Sequence, residues 1–417
     1  MPDNLDSVFR REAGRCTATL IRILGDIDLA EDAVAEAFTL AAENWKVHGI
    51  PPNPAGWIVT TARNRAIDQI RRESTRDARH QAAARLQGDP MCSDHNPELD
   101  DLDALVDVVP DDQLRLMFLC CHPSLAADAQ IALTLRLLGG LQTSEIAGAF
   151  LVPEATMAQR IVRAKRKLRD NHAPYRIPAD TELHDRLDAV LGVIYLTYTE
   201  GHTATFGTTL VRVDLSAEAI RLGRVLAHLM PDEPEAIGLL ALLLLTQARQ
   251  PARVGADGSL VRLAEQDRTR WDRSLIDEGH RLVRVCLRRN QPGAYQIQAA
   301  IAAVHADAST CEDTDWSQVL ALYDQLLTIR PNAVVALNRA VAIGELRGPE
   351  AGLAALDAVD AGVLTDYQPY HATRADLLSR SGRRADAVVS YDQAIALTTN
   401  ATERAFLHRQ QQSVVDP

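Results

Sequence analysis

The segment from Leu141 to Arg169 constrains the fold of this chain more than any other, because it has the pattern of two short helices joined at a proline. In its first half, Ile146, Ala147 and Phe150 recur at helical spacing. Pro153 suits the first turn of a second helix, since its missing N–H leaves no hydrogen bond unmade there. The segment therefore predicts a helix-turn-helix.

The second helix of this segment is expected to have an apolar face and a basic face. The side chains expected to point inward are Met157, Ile161, Val162, Ala164 and Leu168. The six cations of its basic run, with no acid among them, are Arg160, Arg163, Lys165, Arg166, Lys167 and Arg169. The chain as a whole has a net charge of −12, so this positive charge is local and indicates an anionic partner.

Recognition helices read bases from their N-terminal half and hold phosphates with the rest, which is the order found in this helix. We therefore predict that Gln159 and Arg160 read bases, beside Thr156 and Arg163. The alternative is a solvated charged face on an ordinary helical hairpin.

The length and the apolar segments of the chain limit its class. A chain of 417 residues can form two or three domains, each with its own core. The segment Val8 to Glu12 places charge where a signal peptide would be apolar. The longest apolar run, Ala236 to Leu245, is too short to span a bilayer and is expected in a buried helix. These features predict a cytoplasmic protein.

Neither a metal centre nor a catalytic site is predicted. The six cysteines form no CxxC pair, which argues against a zinc ribbon or a disulfide framework. Cys120, Cys121 and His122 are adjacent, but neighbours on a helix point about 100° apart and a fourth ligand is not evident. The segment Tyr198 to His202 brings an acid and an imidazole together at a predicted turn, which we interpret as a structured loop. We therefore expect no cofactor, no metal and no enzyme activity.

Residues 4–72 are predicted to form three helices, with breaks at Gly25-Asp26 and from Val47 to Pro54. The second helix is expected from Leu29 to Trp45 and the third from Ala55 to Arg72. The inward side chains predicted for the third helix are Trp57, Ile58, Ala62, Ile67 and Ile70. The outward ones are Arg63, Asn64, Arg65, Asp68, Arg71 and Arg72. Such a surface suits phosphates and unstacked bases; the alternative is that Trp57 anchors the helix and the arginines are solvated.

Two further regions are recognised by composition and by period. From Asp89 to Asp112 the chain has nine acids and neither Lys nor Arg, which predicts a linker.

After Pro174 and Pro178 the helical pattern returns, and Gly348 and Gly382 are 34 residues apart. Tyr323 and Tyr391 are 68 apart, Ala387 and Ala394 flank the second tyrosine, and Asp357 stands at the aromatic position between them. This period predicts tetratricopeptide-like repeats, whose concave surfaces bind peptides; packing for stability is the alternative.

Two segments together resemble the extracytoplasmic-function sigma factors of the sigma-70 family. Region 2 of that family is resembled by Leu29-Ala30-Glu31-Asp32 with Phe38, Trp57 and residues 62–72, and region 4 by residues 133–169. The segment from Cys120 to Arg169 resembles in particular the subgroup that carries a long C-terminal extension with tetratricopeptide-like repeats.

The resemblance implies an all-α protein of four parts. These parts are region 2 in residues 1–75, an acidic linker in 76–109, region 4 with its helix-turn-helix in 110–173, and a helical repeat-like extension in 174–417. The implied partners are core RNA polymerase, promoter DNA and a regulatory protein or peptide at the extension, and the polymerase performs the chemistry.

The resemblance also assigns residues to three surfaces by position. The residues implied in polymerase binding are Glu31, Asp32 and Glu36. Those implied at the melted minus-10 strand are Trp57, Asn64, Asp68, Arg71 and Arg72, with the loop at 47–54. Those implied at the minus-35 duplex are Thr156, Gln159, Arg160, Arg163, Lys165 and Lys167.

Two other functions stay open at the level of sequence. A helix-turn-helix regulator with a ligand- or peptide-sensing C-terminal half would bind a duplex operator without polymerase, and would not need the surface from Trp57 to Arg72. A helical scaffold whose basic helix binds an acidic protein would show no salt-dependent affinity for DNA.

Overall fold

The computed structural model describes residues 5–84, 110–150, 152–204, 211–255, 258–359 and 364–415. These residues form helices, turns and one isolated β-bridge between Val254 and Leu260, without a β-strand. The prediction of an all-α protein is therefore confirmed. The chain divides into two compact units, Met1–Val193 and Ile194–Pro417.

The first unit holds the predicted helix-turn-helix and the helices before it. Its helices are α1 (Leu5–Leu24), α2 (Ile27–His48), α3 (Pro54–Ala84), α4 (Pro110–Cys120), α5 (Ala127–Leu137), α6 (Thr143–Phe150), α7 (Glu154–Asp170) and the first part of α8 (Asp180–His202). Helices α1, α2 and α3 pack against one another, and α1 also contacts α4 and α5.

Local sequence explains where α2 and α3 begin and end. The Asp26 carboxylate accepts a hydrogen bond from the Leu29 backbone N–H at 2.9 Å and caps α2. Gly49, at φ 77°, ends the helix in a backbone conformation that favours glycine. The predicted loop therefore begins later than expected, because Val47 and His48 still belong to α2. Helix α3 begins at Pro54, one residue before the predicted Ala55, because proline suits the first turn of a helix, and it continues past the predicted Arg72 to Ala84.

Aromatic pairs fill the core of these three helices. The rings of Phe9 and Phe38 meet edge to face with their centroids 4.7 Å apart. Trp45 and Trp57 do the same at 5.4 Å and join the end of α2 to the start of α3. Edge-to-face packing is a favoured geometry for aromatic pairs, so these contacts fix the angle between the helices.

A buried acid fastens α4 to α1. Asp112 is fully buried, and its carboxylate accepts hydrogen bonds from Arg22 and Arg115, both at 2.8 Å. The Tyr175 hydroxyl lies 2.6 Å from the Ala18 carbonyl and 3.0 Å from the Asp112 carbonyl. The predicted acidic linker therefore ends before Asp112, because this residue belongs to α4. Residues 85–109 lie outside the described part of the chain.

The second unit is a series of helices that follows the C-terminal part of α8. Its helices are α9 (Val213–Leu229), α10 (Pro234–Gln247), α11 (Gln250–Arg253), α12 (Arg273–Arg289), α13 (Ala294–Asp307), α14 (Trp316–Ile329), α15 (Ala333–Arg347), α16 (Pro349–Asp357), α17 (Gln368–Arg380), α18 (Arg384–Leu397) and α19 (Ala401–Val415).

Helix α10 forms the centre of the first half of this unit. It packs against α9, α12 and α13, and its side chains from Ala236 to Leu245 are buried, as predicted for the apolar run. No helix in the described part of the chain is both long and apolar enough to span a membrane.

The glycines that are 34 residues apart occupy equivalent turns. Gly348, at φ 95°, lies between α15 and α16, and Gly382, at φ 78°, lies between α17 and α18. Both conformations favour glycine, and each glycine joins two helices that follow each other in the chain. Ala387, Tyr391 and Ala394 are buried on α18, where the repeat pattern placed them.

Candidate nucleic-acid interface

Helices α6 and α7 form the helix-turn-helix that the sequence predicted. Ile146 and Ala147 are buried on α6, and Pro153 directly precedes the first residue of α7. The Glu145 carboxylate accepts a hydrogen bond from the Gln142 backbone N–H at 2.7 Å, which satisfies one of the free donors at the start of α6. These contacts hold α6 and the turn in place beneath α7.

The faces of α7 follow the prediction at most positions. Met157, Ile161, Ala164 and Leu168 are buried, whereas Thr156, Gln159, Arg163 and Lys167 are exposed. Two positions are exchanged relative to the prediction. Val162 is 63% exposed, and Lys165 is buried. The prediction for Val162 was therefore wrong, because the packed face of α7 includes the position occupied by Lys165.

Arg160 is held against the protein rather than extended into solvent. Its guanidinium lies over the Phe150 ring, 5.7 Å from the centroid, and 3.5 Å from the Asp128 carboxylate. The first contact joins the two helices of the motif, and the second reaches α5. These contacts orient the guanidinium at the surface that carries Thr156 and Gln159.

The C-terminal half of α7 forms ion pairs with α2. The Lys165 ammonium lies 2.9 Å from the Asp28 carboxylate and 2.5 Å from that of Glu31. Arg169 approaches Asp28 at 2.5 Å, and Arg136 approaches Glu31 at 2.5 Å. We call these five residues the α2–α7 cluster. It brings together Glu31 and Lys165, which the resemblance assigned to different partners.

The charges in the α2–α7 cluster stabilise one another. Burial acts to lower the pKa of Lys165, but the Glu31 and Asp28 carboxylates outweigh it, so the pKa is raised above the ordinary value of a lysine. Asp32 follows Glu31 directly in α2. Burial, and then the charge of Glu31, raise the pKa of the Asp32 carboxyl group. Lys165 is therefore charged and fully engaged within the chain.

The other acids implied in polymerase binding point outward. Asp32 and Glu36 are exposed on α2, whereas Glu31 is partly buried under Arg136 and Lys165. The structure thus divides the implied surface into two accessible carboxylates and one that is paired.

Helix α3 presents a polar face that differs from the predicted one at two positions. Asn64, Asp68 and Arg71 are exposed, as predicted. Arg63 is buried, because it shares a face with Val59 and Ala66, and Ile70 is 46% exposed. The predictions for Arg63 and Ile70 were therefore wrong.

Two further residues are implied at the melted strand, Trp57 and Arg72, and the structure describes the side chain of the first. Trp57 is partly buried against Trp45, so the tryptophan anchors α3 while one side of it stays accessible. The side chain of Arg72 lies outside the described part of the structure.

Sequence reasoning did not find Asp28 or Arg136, which complete the α2–α7 cluster. Their partners are distant in sequence: Asp28 and Arg169 are 141 residues apart, and Glu31 and Arg136 are 105 apart. No local pattern links positions at such separations. The acid at the start of α2 is a local signal, but an acid there also complements the helix dipole and so indicates no particular partner.

Cys120 is the last residue of α4, Cys121 and His122 follow that helix, and the Tyr198–His202 segment is helical. Cys120 and Cys121 are buried, and burial raises the pKa of the Cys121 thiol to about 12. Among the described residues, no three His, Cys, Asp or Glu side chains are arranged to hold a metal ion. Tyr198 to His202 form the end of α8, so the predicted turn was wrong; the Tyr198 and His202 rings stack with their centroids 5.5 Å apart.

Three segments of the chain match known protein families. Residues 8–76 match sigma-70 region 2, residues 115–168 match sigma-70 region 4, and residues 186–287 match a family of unknown function, DUF6596. The first two matches cover the helices that carry the α3 surface and the helix-turn-helix.

Relatives match either most of the chain or less than half of it. Over 393 residues the chain is 43% identical to the uncharacterized protein R00370 of Rhizobium meliloti (strain 1021), a match that covers 94% of this chain and 91% of that protein. Over 181 residues it is 28% identical to the probable ECF RNA polymerase sigma factor SigI of two Mycobacterium tuberculosis strains, CDC 1551 and H37Rv. That match covers 43% of this chain and 58% of those proteins.

Proposed function

Since the chain belongs to the family of the Rhizobium meliloti protein R00370 and is a sigma-70 family protein by its regions 2 and 4, we propose that it acts as an alternative sigma factor of the extracytoplasmic-function type. It binds core RNA polymerase and directs the enzyme to promoters. The observation that carries this proposal is the presence, in one compact unit, of an exposed recognition surface on α7 and an exposed polar surface on α3.

The two surfaces suit two states of promoter DNA. Duplex recognition needs a rigid helix in the major groove, and α7 offers Thr156, Gln159, Arg160 and Arg163 from a well-packed helix. Capture of a melted strand needs a cationic and polar face beside an aromatic ring, and α3 offers Asn64, Asp68 and Arg71 on the helix that begins near Trp57. A protein that binds the unpaired strand shifts the equilibrium toward melting, so this chain needs no catalytic residue.

Polymerase binding is assigned to the acidic face of α2. Asp32 and Glu36 are exposed there and are available to a basic partner surface. Glu31 becomes available only when Arg136 and Lys165 leave it. Lys165 in turn can reach a phosphate only when it leaves Asp28 and Glu31. The α2–α7 cluster therefore opposes polymerase binding and DNA binding together, and full engagement of both partners requires its ion pairs to break.

The second unit is assigned a regulatory role as a tetratricopeptide-like domain that binds a protein or peptide. Support comes from the equivalent turns at Gly348 and Gly382 and from the buried Ala387, Tyr391 and Ala394 of α18. Asp357, at the aromatic position of the degenerate repeat, forms an ion pair with Arg374 of the next hairpin at 2.5 Å. This ion pair joins the two hairpins at their surface.

Run-off transcription with purified core RNA polymerase tests this function. The templates are genomic fragments that include the region upstream of the protein's own coding sequence. We expect specific initiation that depends on the added protein. Tight binding to a duplex site without polymerase, and no initiation, would instead favour an operator-binding regulator. A protein that binds neither DNA nor polymerase, in full length or as residues 1–193, would contradict both functions and favour a scaffold.

A further inference from the structure

The second unit contains a cavity of about 430 Å³ that the proposed function does not use. Its wall is formed by the end of α8, by α11 and the segment after it, and by α15, α17, α18 and α19. Leu263, Leu377 and Phe406 give it an apolar surface. A cavity of this size lies within the range of small-molecule binding sites.

Charged side chains converge on the cavity, and the positive ones are in excess. Its arginines are Arg249, Arg253, Arg262 and Arg380, and its carboxylates are Glu345 and Asp376. Both carboxylates are already engaged. Asp376 lies 2.8 Å from Arg262, and Glu345 lies 2.5 Å from Arg380, which also approaches Asp376 at 3.4 Å.

Two arginines of the cavity therefore have no carboxylate partner among the described residues. The Arg253 guanidinium donates to neutral oxygens, the His202 carbonyl and, at 2.5 Å, the Thr203 hydroxyl. The backbone of Arg249 is hydrogen-bonded, but its guanidinium makes neither a hydrogen bond nor an ion pair with any described residue. The charge of Glu403 raises the pKa of Arg253, but the two side chains do not form an ion pair.

The surroundings add positive charge instead of compensating it. The charge of Arg268 lowers the pKa of Arg249. The Arg268 guanidinium itself donates to the His305 and Ala308 carbonyls, both at 2.7 Å, so it too is bound to neutral groups. Burial, and then the charge of Arg253, lower the pKa of His202 to about 2, so this imidazole is neutral and cannot offset the arginines. Burial is the largest cause that lowers the pKa of both Arg249 and Arg253, so their charged forms are disfavoured there, and an anion between them would stabilise those charges.

We propose that this cavity binds a small organic acid. Its carboxylate or phosphate group is held by Arg249 and Arg253, and its apolar body packs against Leu263, Leu377 and Phe406. Planar guanidinium groups bind both kinds of anion through paired hydrogen bonds. Such a site would give the second unit a chemical signal, and its existence does not depend on the proposed role in transcription.

The test measures binding to the full chain in the absence of polymerase. Hexanoate and hexyl phosphate are the anionic probes, and hexanamide is the neutral one, each followed by isothermal titration calorimetry and by thermal unfolding. We expect at least one anionic probe to bind and to raise Tm with increasing concentration, whereas hexanamide does neither. The stronger of the two anions identifies whether carboxylate or phosphate is preferred.

Variants locate the binding in this cavity. Arg249→Met and Arg253→Met should each weaken the anionic probe by about tenfold or more, because a charge-assisted contact is lost. Without a probe, Arg249→Met should unfold at a temperature equal to or above that of the parent chain, since it removes a charge that has no partner. An arginine with a purely structural role would show the opposite change in Tm. Arg288→Met, an exposed arginine of α12, is the matched control and should leave the affinity unchanged.

A further variant fills the cavity without changing its charge. Thr373→Trp on the cavity wall should abolish probe binding while the helical circular dichroism is kept, and it replaces the arginine variants if these do not fold. The proposal is overturned if neither anion binds, if hexanamide binds as tightly as the anions, or if binding persists in the folded arginine or Thr373→Trp variants.

Discussion

Arg160 shows how a single recognition residue is prepared before it meets DNA. Its contacts with the Phe150 ring and the Asp128 carboxylate restrict its rotamers, so less conformational freedom is lost when it binds a base. Arg166, on the same helix, is 78% exposed and pairs with Asp170 one turn later. The two arginines therefore differ in how strongly they are positioned.

Arg160→Ala should weaken binding to the preferred minus-35 duplex by about 1–3 kcal/mol, as expected for a base-reading arginine. Binding to an unrelated duplex should change much less. Arg166→Ala is the control, and it should weaken both duplexes equally through the loss of a phosphate contact. Competition measured by fluorescence anisotropy gives both affinities. An unchanged sequence preference in Arg160→Ala would contradict base reading by this residue.

His305 makes the stability of the protein depend on pH. Its imidazole is buried in α13, its ring meets the edge of Trp316 at 5.2 Å, and its Nδ1 has no hydrogen-bond partner among the described residues. Burial, followed by the charges of Arg249 and Arg268, lowers the pKa of His305 to about 4. The unfolded chain, with a histidine pKa near 6.5, therefore binds more protons than the folded chain between these values.

The contribution of His305 to the free energy of unfolding should be fully present above about pH 7 and should be lost progressively as the pH falls below it. His305 alone should account for about 1 kcal/mol between pH 7 and pH 5.5. His202, whose pKa is also lowered, contributes with the same sign. Urea denaturation of the parent chain and of His305→Gln measures the effect. The variant should show a smaller decrease, and an identical pH dependence would mean that His305 is not the titrating group.

At the scale of helices, the sequence predicted the elements better than their faces. Hydrophobic periodicity located α7 and four of its buried positions, because one face of that helix packs on the α5–α6 side of the motif. It could not predict that Lys165 would be buried, since the acids that hold it belong to α2. The same limit applies to Arg63, whose face is set by packing against α1 and α2. Local pattern therefore predicts where a helix lies, while distant partners decide the positions at the margin of its buried face.

The α2–α7 cluster should compete with DNA for the cations of α7. Asp28→Asn removes the partner of Arg169 and one partner of Lys165. We expect a several-fold increase in affinity for duplex DNA, with a salt dependence steeper by about one phosphate contact. Glu43→Gln removes the same charge from an exposed position of α2 and serves as the control. Anisotropy titrations at several salt concentrations measure both variants, and equal behaviour of the two would show that the cluster does not limit access to α7.

At the scale of the whole molecule, the sequence predicted sigma-70 regions 2 and 4 in the order that the family matches give, while the repeat period stays a prediction. The predicted region 4 ends at residue 173, whereas the first compact unit continues to Val193 inside α8. Side-chain contacts explain the difference. The Tyr175 hydroxyl bonds to carbonyls of α1 and α4, and Arg186 donates to the Phe118 carbonyl at 2.6 Å. Prolines marked the break in helical pattern, but these contacts keep the following segment in the first unit.

This difference determines how the role of the second unit is tested. A chain cut after residue 174 loses Tyr175 and Arg186, and the hydroxyl bonds of Tyr175 alone stabilise the fold by about 1–2 kcal/mol. A chain cut after Val193 keeps both residues, so its behaviour reports on the second unit and not on a damaged first unit. Thermal unfolding should accordingly give a higher Tm for residues 1–193 than for residues 1–174.

Run-off transcription with residues 1–193 and with the full chain then measures regulation directly. Because the second unit offers surfaces that the sigma regions lack, we expect the two proteins to differ several-fold in transcript yield at equal occupancy of polymerase. Combining the truncation with Asp28→Asn separates two routes of control. If the second unit acts by stabilising the α2–α7 cluster, the substitution should change the output of the full chain but not that of residues 1–193. Equal yields from a folded truncation and the full chain would remove the regulatory role of the second unit and leave stabilisation as its function.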